Sequence, residues 1–384
     1  MPLRFSQNYR KIKQRRVLAI SAGGEGSGIH CLYYINHADS WEIIASTVIP
    51  YSGRVASLIE GCGRRALQVA DLAWLESKIT LLCIEGARTV LAGVPRALRK
   101  PHLVALNQLT IFKGVTGENA PCKRWNLSLG DPQLLADTLA LPVFSDFLRY
   151  HLLTERVGMS PFLTGDLLVA RGFTGTVILL NIGLLSHMTV LDLPRGRCLL
   201  DSDTGPGTCL INHCAREMHL PEGFDRDGDR AATGSVDVSA LDALATSPWF
   251  LTAAPKEASI ELFDPLLQKS GIMTLSPTDK LATLTALTAR TAYDFFRAEF
   301  KQEGLPEAII ISGGGANNSA LTRCFASYFT HVQVMTCEEL GIPFEMLTPL
   351  AMGLTVDAFL RGNTSMWEDG TVFGAPRIAR LSLP

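Results

Sequence analysis

The sequence predicts an α/β fold of two related lobes with a ligand cleft between them, and three observations carry this. Short apolar, β-branched runs alternate with helical patterns in both halves of the chain, the signature of sheets covered by helices. Two such runs in the second half end in glycine turns followed by helical patterns: Asp203–Thr204–Gly205–Pro206–Gly207, and Ser312–Gly313–Gly314–Gly315–Ala316–Asn317–Asn318. A third glycine-rich stretch, Ala22 to Gly28, sits between two apolar runs near the start. Glycines at such turns let backbone N–H groups converge on an anion where side chains would block them, and a cleft between lobes is where the ligand is expected.

The elements follow in order. Residues 17–21 and 29–35 read as two strands of a hairpin, 41–48 as a third strand, 55–76 as one long helix and 79–84 as a strand-like run. This first lobe is placed at residues 1–131, with the C-terminal segment from about 365 to 384 packing back on it. Residues 132–139 have helical spacing and 142–143 are extended; 176–182 and 188–193 form another hairpin, and 209–218 are helical. A short helix is expected at 239–246 with Ser239 as its N-cap, and a long amphipathic one at 279–299. After the triple-glycine turn come a helix at 319–329, a strand at 332–335 and a helix at 349–360. The second lobe, 132–364, therefore carries the nucleotide-binding loops.

Composition narrows the function classes. The 384 residues are 47% hydrophobic and 19% charged, which is globular, and a net charge of −2 offers no basic surface for nucleic acid. The basic stretch from Arg10 to Arg16 is too short to change that. No run of about 18 apolar residues and no secretory pattern is found. No membrane partner is expected, and the expected location is the cytoplasm. The nine cysteines form no C-x-x-C pair, which argues against a zinc or thioredoxin-like site and for buried thiols.

The glycine turns supply the binding candidates. Thr204, Gly205 and Gly207 are expected to offer backbone donors to phosphate, and Asp203 to meet a phosphate-bound magnesium directly or through water. Gly313, Gly314, Gly315 and Asn318 form the second candidate turn, and Gly23, Gly24 and Gly28 the third. The expected ligand is a nucleotide held between the loops, with magnesium at its phosphates.

These residues resemble the anhydro-N-acetylmuramic acid kinases, bacterial enzymes of the actin-like ATPase and sugar-kinase superfamily. The resemblance runs through Leu129–Gly130–Asp131, Val143 to Phe147, Asn181–Ile182–Gly183, Asp203 to Gly207 and Pro255–Lys256 with Glu261 and Phe263. It continues through Leu281 to Ala292, Ser312 to Asn318, Gly341–Ile342 and Gly374, covering nearly the whole length. It implies a two-lobed fold with a central cleft, and an enzyme that uses ATP and water to open a 1,6-anhydro sugar and phosphorylate it. It also implies a homodimer, and Asp146, Lys256 and Thr348 on the substrate side.

The departures fall where that chemistry is done. In the first glycine turn the family's aspartate is replaced by Ser27, and the next family aspartate by His30. The family's catalytic base, five residues after the aspartate matching Asp146, is His151 here, and the glycine-rich run beyond it reads Glu155, Arg156, Val157, Gly158, Met159, Ser160. A sugar-contacting glutamate becomes Thr348. A general base contributes typically about 10²–10⁴-fold. Three readings follow: a nucleotide-binding member, a pseudokinase in the extreme case, with anhydrosugar phosphorylation lost or altered; an active kinase of 1,6-anhydro-N-acetylmuramic acid or a related sugar; and an interaction protein that binds no nucleotide.

Overall fold

The computed structural model describes residues 7–24, 28–37, 40–63, 67–115, 124–149, 162–300, 304–362, 365–366, 372–373 and 380–384. The chain divides into two units: residues 1–157, 161–169 and 346–384 in one, 158–160 and 170–345 in the other. The boundary expected at residue 131 differs from this division. Residues 132–149 and 347–361 belong with the first unit, whose sheet also takes in Val143–Ser145 and Arg380–Ser382.

The first unit is built on a six-stranded sheet. β1 (Arg15–Ala22), β2 (Gly28–Asn36) and β3 (Trp41–Pro50) form an antiparallel meander. β4 (Leu103–Asn107) and β7 (Val143–Ser145) then continue parallel to β1, and β13 (Arg380–Ser382) closes the edge antiparallel to β7, giving the order β13-β7-β4-β1-β2-β3. A hairpin of β5 (Leu109–Val115) and β6 (Arg124–Leu129) stands apart from that sheet. Helix α1 (Gly53–Gly63) and helix α2 (Val69–Ala92) replace the single helix expected over 55–76.

The run at 79–84, expected as a strand, lies inside α2. Its apolar residues belong to a helical stripe, Leu75, Ile79, Leu82, Cys83 and Val90, all buried against the sheet. Periodicity over so short a window cannot separate a buried helix from a strand. Gly86 lets α2 approach the sheet closely, since a Cβ there would press on Cys31 Sγ.

A buried carboxylate of this unit gathers three donors. Asp357, on the helix α9 (Leu347–Arg361), accepts from Tyr9 Oη at 2.7 Å, Arg15 Nε at 2.6 Å and Asn36 Nδ2 at 2.6 Å. This ties the segment before β1 to the last long helix, and removing one partner of such a buried pair costs about 3–5 kcal/mol.

The second unit repeats the strand plan. β8 (Thr176–Ile182), β9 (Leu185–Asp192) and β10 (Arg197–Pro206) form the meander, β11 (Ala308–Ser312) and β12 (Gln333–Thr336) run parallel to β8, and the order is β10-β9-β8-β11-β12. Helices α5 (Cys209–Glu217), α6 (Val238–Ala245), α7 (Pro277–Glu299) and α8 (Ser319–Tyr328) accompany the sheet. α3 (Pro132–Leu139) and α4 (Leu163–Val169) belong to the first unit. The core of the second sheet packs Phe295, Phe296, Phe325 and Phe329 against β8 and β11. α6 begins one residue earlier than expected, and its cap is Asp237 rather than Ser239: the Asp237 carboxylate accepts from Ala240 N–H at 2.8 Å, worth about 0.5–2 kcal/mol. Among the described residues no helix is long and apolar enough to cross a membrane.

Candidate functional site

In the second unit β8, β11 and β12 point the same way, as does β10, so their carboxyl ends share one edge. Ligands of open α/β sheets bind at such edges. Three turns leave from this edge, at 183–184, 207–208 and 313–318, and they interlock. Gly207 N–H donates to Leu184 O at 2.8 Å, Thr208 N–H to Gly183 O at 2.8 Å and Cys209 N–H to Leu184 O at 3.1 Å. A Cβ on Gly207 would strike backbone atoms of Gly183 and Leu185; one on Gly313, whose φ is 79°, would strike Asn181 Oδ1 and Ile182 O.

This geometry revises the role expected of the Asp203–Gly207 run. Asp203 through Gly207 are buried, the first four of them inside β10. The Gly207 donor is committed to Leu184 O. Gly205, at φ 153°, packs where a Cβ would meet Thr291 Oγ1 at 2.9 Å and Phe250 Cε1 at 3.1 Å. These glycines serve close approach of protein to protein. Thr204 Oγ1 likewise donates to Ser186 Oγ at 2.9 Å.

The Gly313–Asn318 turn presents more open backbone. Gly313 N–H donates to Phe344 O at 2.8 Å, and Asn318 Oδ1 accepts from Leu321 N–H at 2.9 Å to cap α8. Gly315 is buried against Ile182. Gly314 is exposed, with nothing within 4 Å of where its Cβ would stand. A helix start beside an unobstructed glycine suits an anion.

A feature that the sequence reading missed surrounds Asp203. His187 Nδ1 lies 2.8 Å from Asp203 Oδ1, and its Nε2 lies 3.1 Å from Asp201 Oδ1. Burial opposes charge on the imidazole, but the attraction of Asp201 and the bonds to both carboxylates outweigh it, raising the His187 pKa well above its ordinary value. Each ring nitrogen thus faces a carboxylate oxygen. Asp203 Oδ2 also accepts from Ala258 N–H at 2.7 Å. The signal was legible in principle, since Asp201 and Asp203 share a face of β10 by strand alternation and His187 stands opposite Asp203 in register.

These contacts bear on magnesium. Both Asp203 oxygens already accept hydrogen bonds, so direct ligation would compete with His187 and Ala258, whereas contact through water would not. Among the described residues no group of three or more His, Cys, Asp or Glu side chains is placed to hold a metal. Lys256 is similarly committed. Its Nζ donates to Trp249 O at 3.3 Å and Phe250 O at 3.2 Å and lies over the Trp249 and Phe295 rings at 4.2 and 4.5 Å. Burial pushes its pKa down to about 8, against the opposing pull of Glu299 and Asp203.

The first unit has its own carboxyl edge, at the ends of β1, β4 and β7. The glycine turn beside it is closed by Gly23 N–H to Gly28 O at 2.9 Å, and Tyr51 Oη donates to Gly23 O at 3.0 Å. Gly24 is exposed and open, and Gly28 packs on the backbone of Ile49. Along the edge Asn107 Nδ2 donates to Ser21 Oγ at 3.1 Å, Ser145 is fully buried, and Asp146 follows at φ 60°. Asp166 is buried in the first turn of α4, His30 lies within β2, and Thr348 is half-buried at the start of α9. Ser27 and His151 lie outside the described residues.

The match to known proteins agrees with this architecture. A family model described as anhydro-N-acetylmuramic acid kinase matches residues 15–381. The chain belongs to the anhydro-N-acetylmuramic acid kinase family. A family relative from Pseudomonas syringae pv. syringae (strain B728a) is 26% identical over 352 residues, covering 90% of this chain and 92% of its own length. One from Streptomyces avermitilis is 35% identical over 224 residues, covering 56% of this chain and 55% of its own. Both carry the name anhydro-N-acetylmuramic acid kinase. The fold is α/β, with a mixed sheet in each of the two units.

Proposed function

We propose that this chain binds ATP with Mg2+ and transfers phosphate to a small sugar through a catalytic site altered from the family's pattern. The observation that carries the reading is the meeting of the Gly183, Gly207 and Gly313 turns at one carboxyl edge, in a chain of a kinase family, with Gly314 left open beside the capped start of α8. On this reading Gly313, Gly314, Gly315 and Asn318 face the nucleotide. Gly205 and Gly207 hold the turn's shape, and Asp203 acts on the metal through water. The alteration rests on Ser27, His30, His151 and Thr348 standing where the family pattern has acidic residues.

Loss of phosphotransfer, leaving a nucleotide-binding regulator, is the second reading, and the saturation of Asp203 by His187 and Ala258 favours it. The test is ATP consumption with 1,6-anhydro-N-acetylmuramic acid and related sugars, alongside calorimetric ATP binding with Mg2+. Turnover on at least one sugar supports the first reading. Binding without turnover supports the second, and absence of binding overturns both.

A further inference from the structure

Asp146 follows the last residue of β7, at the carboxyl edge of a sheet whose β1, β4 and β7 run parallel. Its φ of 60° lies in the left-handed region, where a residue with a side chain is held only if its surroundings insist. The insistence is visible. Asp146 N–H donates to Gln108 Oε1 at 3.1 Å, and Gln108 Nε2 donates to Gly130 O at 2.8 Å. Gly130 N–H is in turn bound by Glu76 Oε2 at 2.6 Å, and Asp131 N–H donates to Thr80 Oγ1 at 2.8 Å. Gln108 therefore braces Asp146 against a loop anchored on α2. Backbone strain maintained this way collects at functional sites.

Other carboxylates of the unit are placed differently. Asp357 is consumed by Tyr9, Arg15 and Asn36, and Asp166 is enclosed in the first turn of α4. Glu76 is taken by Gly130, and Asp131 accepts from Gln133 and Leu134 as the cap of α3. Asp146 keeps a side chain that is 13% exposed, with Arg380 Nη1 at 3.9 Å from Oδ2, ion-pair range rather than hydrogen-bond range. Beside it on the same edge, Ser21 and Asn107 offer a hydroxyl and an amide of the kind that bind sugar hydroxyls.

We infer that Asp146 is the general base of this chain, with Gln108 as its positioning residue. This rests on the kinase reading above and names the proton acceptor within it. Its carboxylate takes a proton from the attacking water as the water oxygen bonds to the anomeric carbon. The bond from that carbon to the bridging oxygen breaks, that oxygen attacks the γ-phosphorus of ATP, and ADP leaves with the electron pair of the broken P–O bond. The family's base position, His151, is then not required for proton abstraction.

The test compares wild type, Asp146→Asn, Asp146→Gly and His151→Ala in steady-state phosphorylation of the sugar that the wild type turns over best, with ATP binding by calorimetry. Asn and Gly both accept a positive φ, so the backbone and the Gln108 contact survive while the carboxylate is lost. Both Asp146 variants are expected to lose about 10²–10³-fold in kcat with ATP affinity within about threefold of wild type. They should also lose the acid limb of the pH–rate profile. Gln108→Leu should lower kcat but retain that limb, as a positioning residue would. Retention of more than about a third of wild-type kcat by Asp146→Asn overturns the assignment and leaves the kinase reading standing. Collapse in His151→Ala with active Asp146 variants gives the role to His151. Absence of turnover by the wild type across all sugars overturns the assignment together with the kinase reading.

Discussion

Replacing Gly207 by alanine tests whether the turn at the end of β10 is a packing device. The added Cβ would fall on Gly183 O and on the backbone of Leu185, atoms that cannot swing aside as a side-chain tip could. The turn must therefore move, and overpacking of this kind costs about 1–3 kcal/mol. The movement strains three backbone hydrogen bonds across the same contact, Gly207 to Leu184, Thr208 to Gly183 and Cys209 to Leu184. Weakening one or two of them adds about 0.5–1.5 kcal/mol each. A loss of about 2–4 kcal/mol lowers the melting temperature by roughly 5–15 °C for a unit of this size. Differential scanning calorimetry at matched pH and concentration reads the shift. Gly314→Ala, at an open and exposed position, is the control and should stay within about 0.5 kcal/mol of wild type. A Gly207→Ala protein melting within about 1 °C of wild type would refute the interlocked-turn account.

Lys256 links stability to pH. Its folded pKa of about 8 lies below the usual lysine value, so between the two the unfolded chain holds more protons and stability should rise with pH across that window. Lys256→Met removes the contribution; urea denaturation at pH 8 and pH 10 should show a larger gain, or smaller loss, for wild type than for the variant, and equal changes would contradict the burial argument. A homodimer is expected from family membership, and light scattering should give twice the 41.7 kDa chain mass; the monomer mass at micromolar concentration would reject it.

Much of the fold was legible because strand and helix periodicities are local. The hairpin of β1 and β2, the hairpin of β8 and β9, the helix after the triple-glycine turn and the long helix α7 follow from alternation, apolar stripes and caps. Reading failed at 79–84, where a buried helix is apolar on most sides and a short window looks like a strand. It also missed Asp237 as a cap, since two polar residues near a helix start compete and only the backbone decides which carboxylate or hydroxyl meets Ala240 N–H.

For the candidate site, the sequence by itself determined the family, the glycine turns and the positions where the family's acidic residues are missing, because residue identity and order are enough for those. Tertiary structure decided what each group is free to do. Asp203 reads as a metal ligand until His187 and Ala258 are seen on its two oxygens, and Lys256 as a substrate-side residue until Trp249 and Phe295 are seen around its amine. Gly207 reads as an anion donor until its N–H is found on Leu184 O. Asp146 reads only as a substrate-side residue by resemblance until Gln108, remote in sequence, is found holding it in the left-handed region. Each of these is a question of which donor or acceptor is already satisfied, and partners far apart in the chain answer it only once the sheets have brought them together.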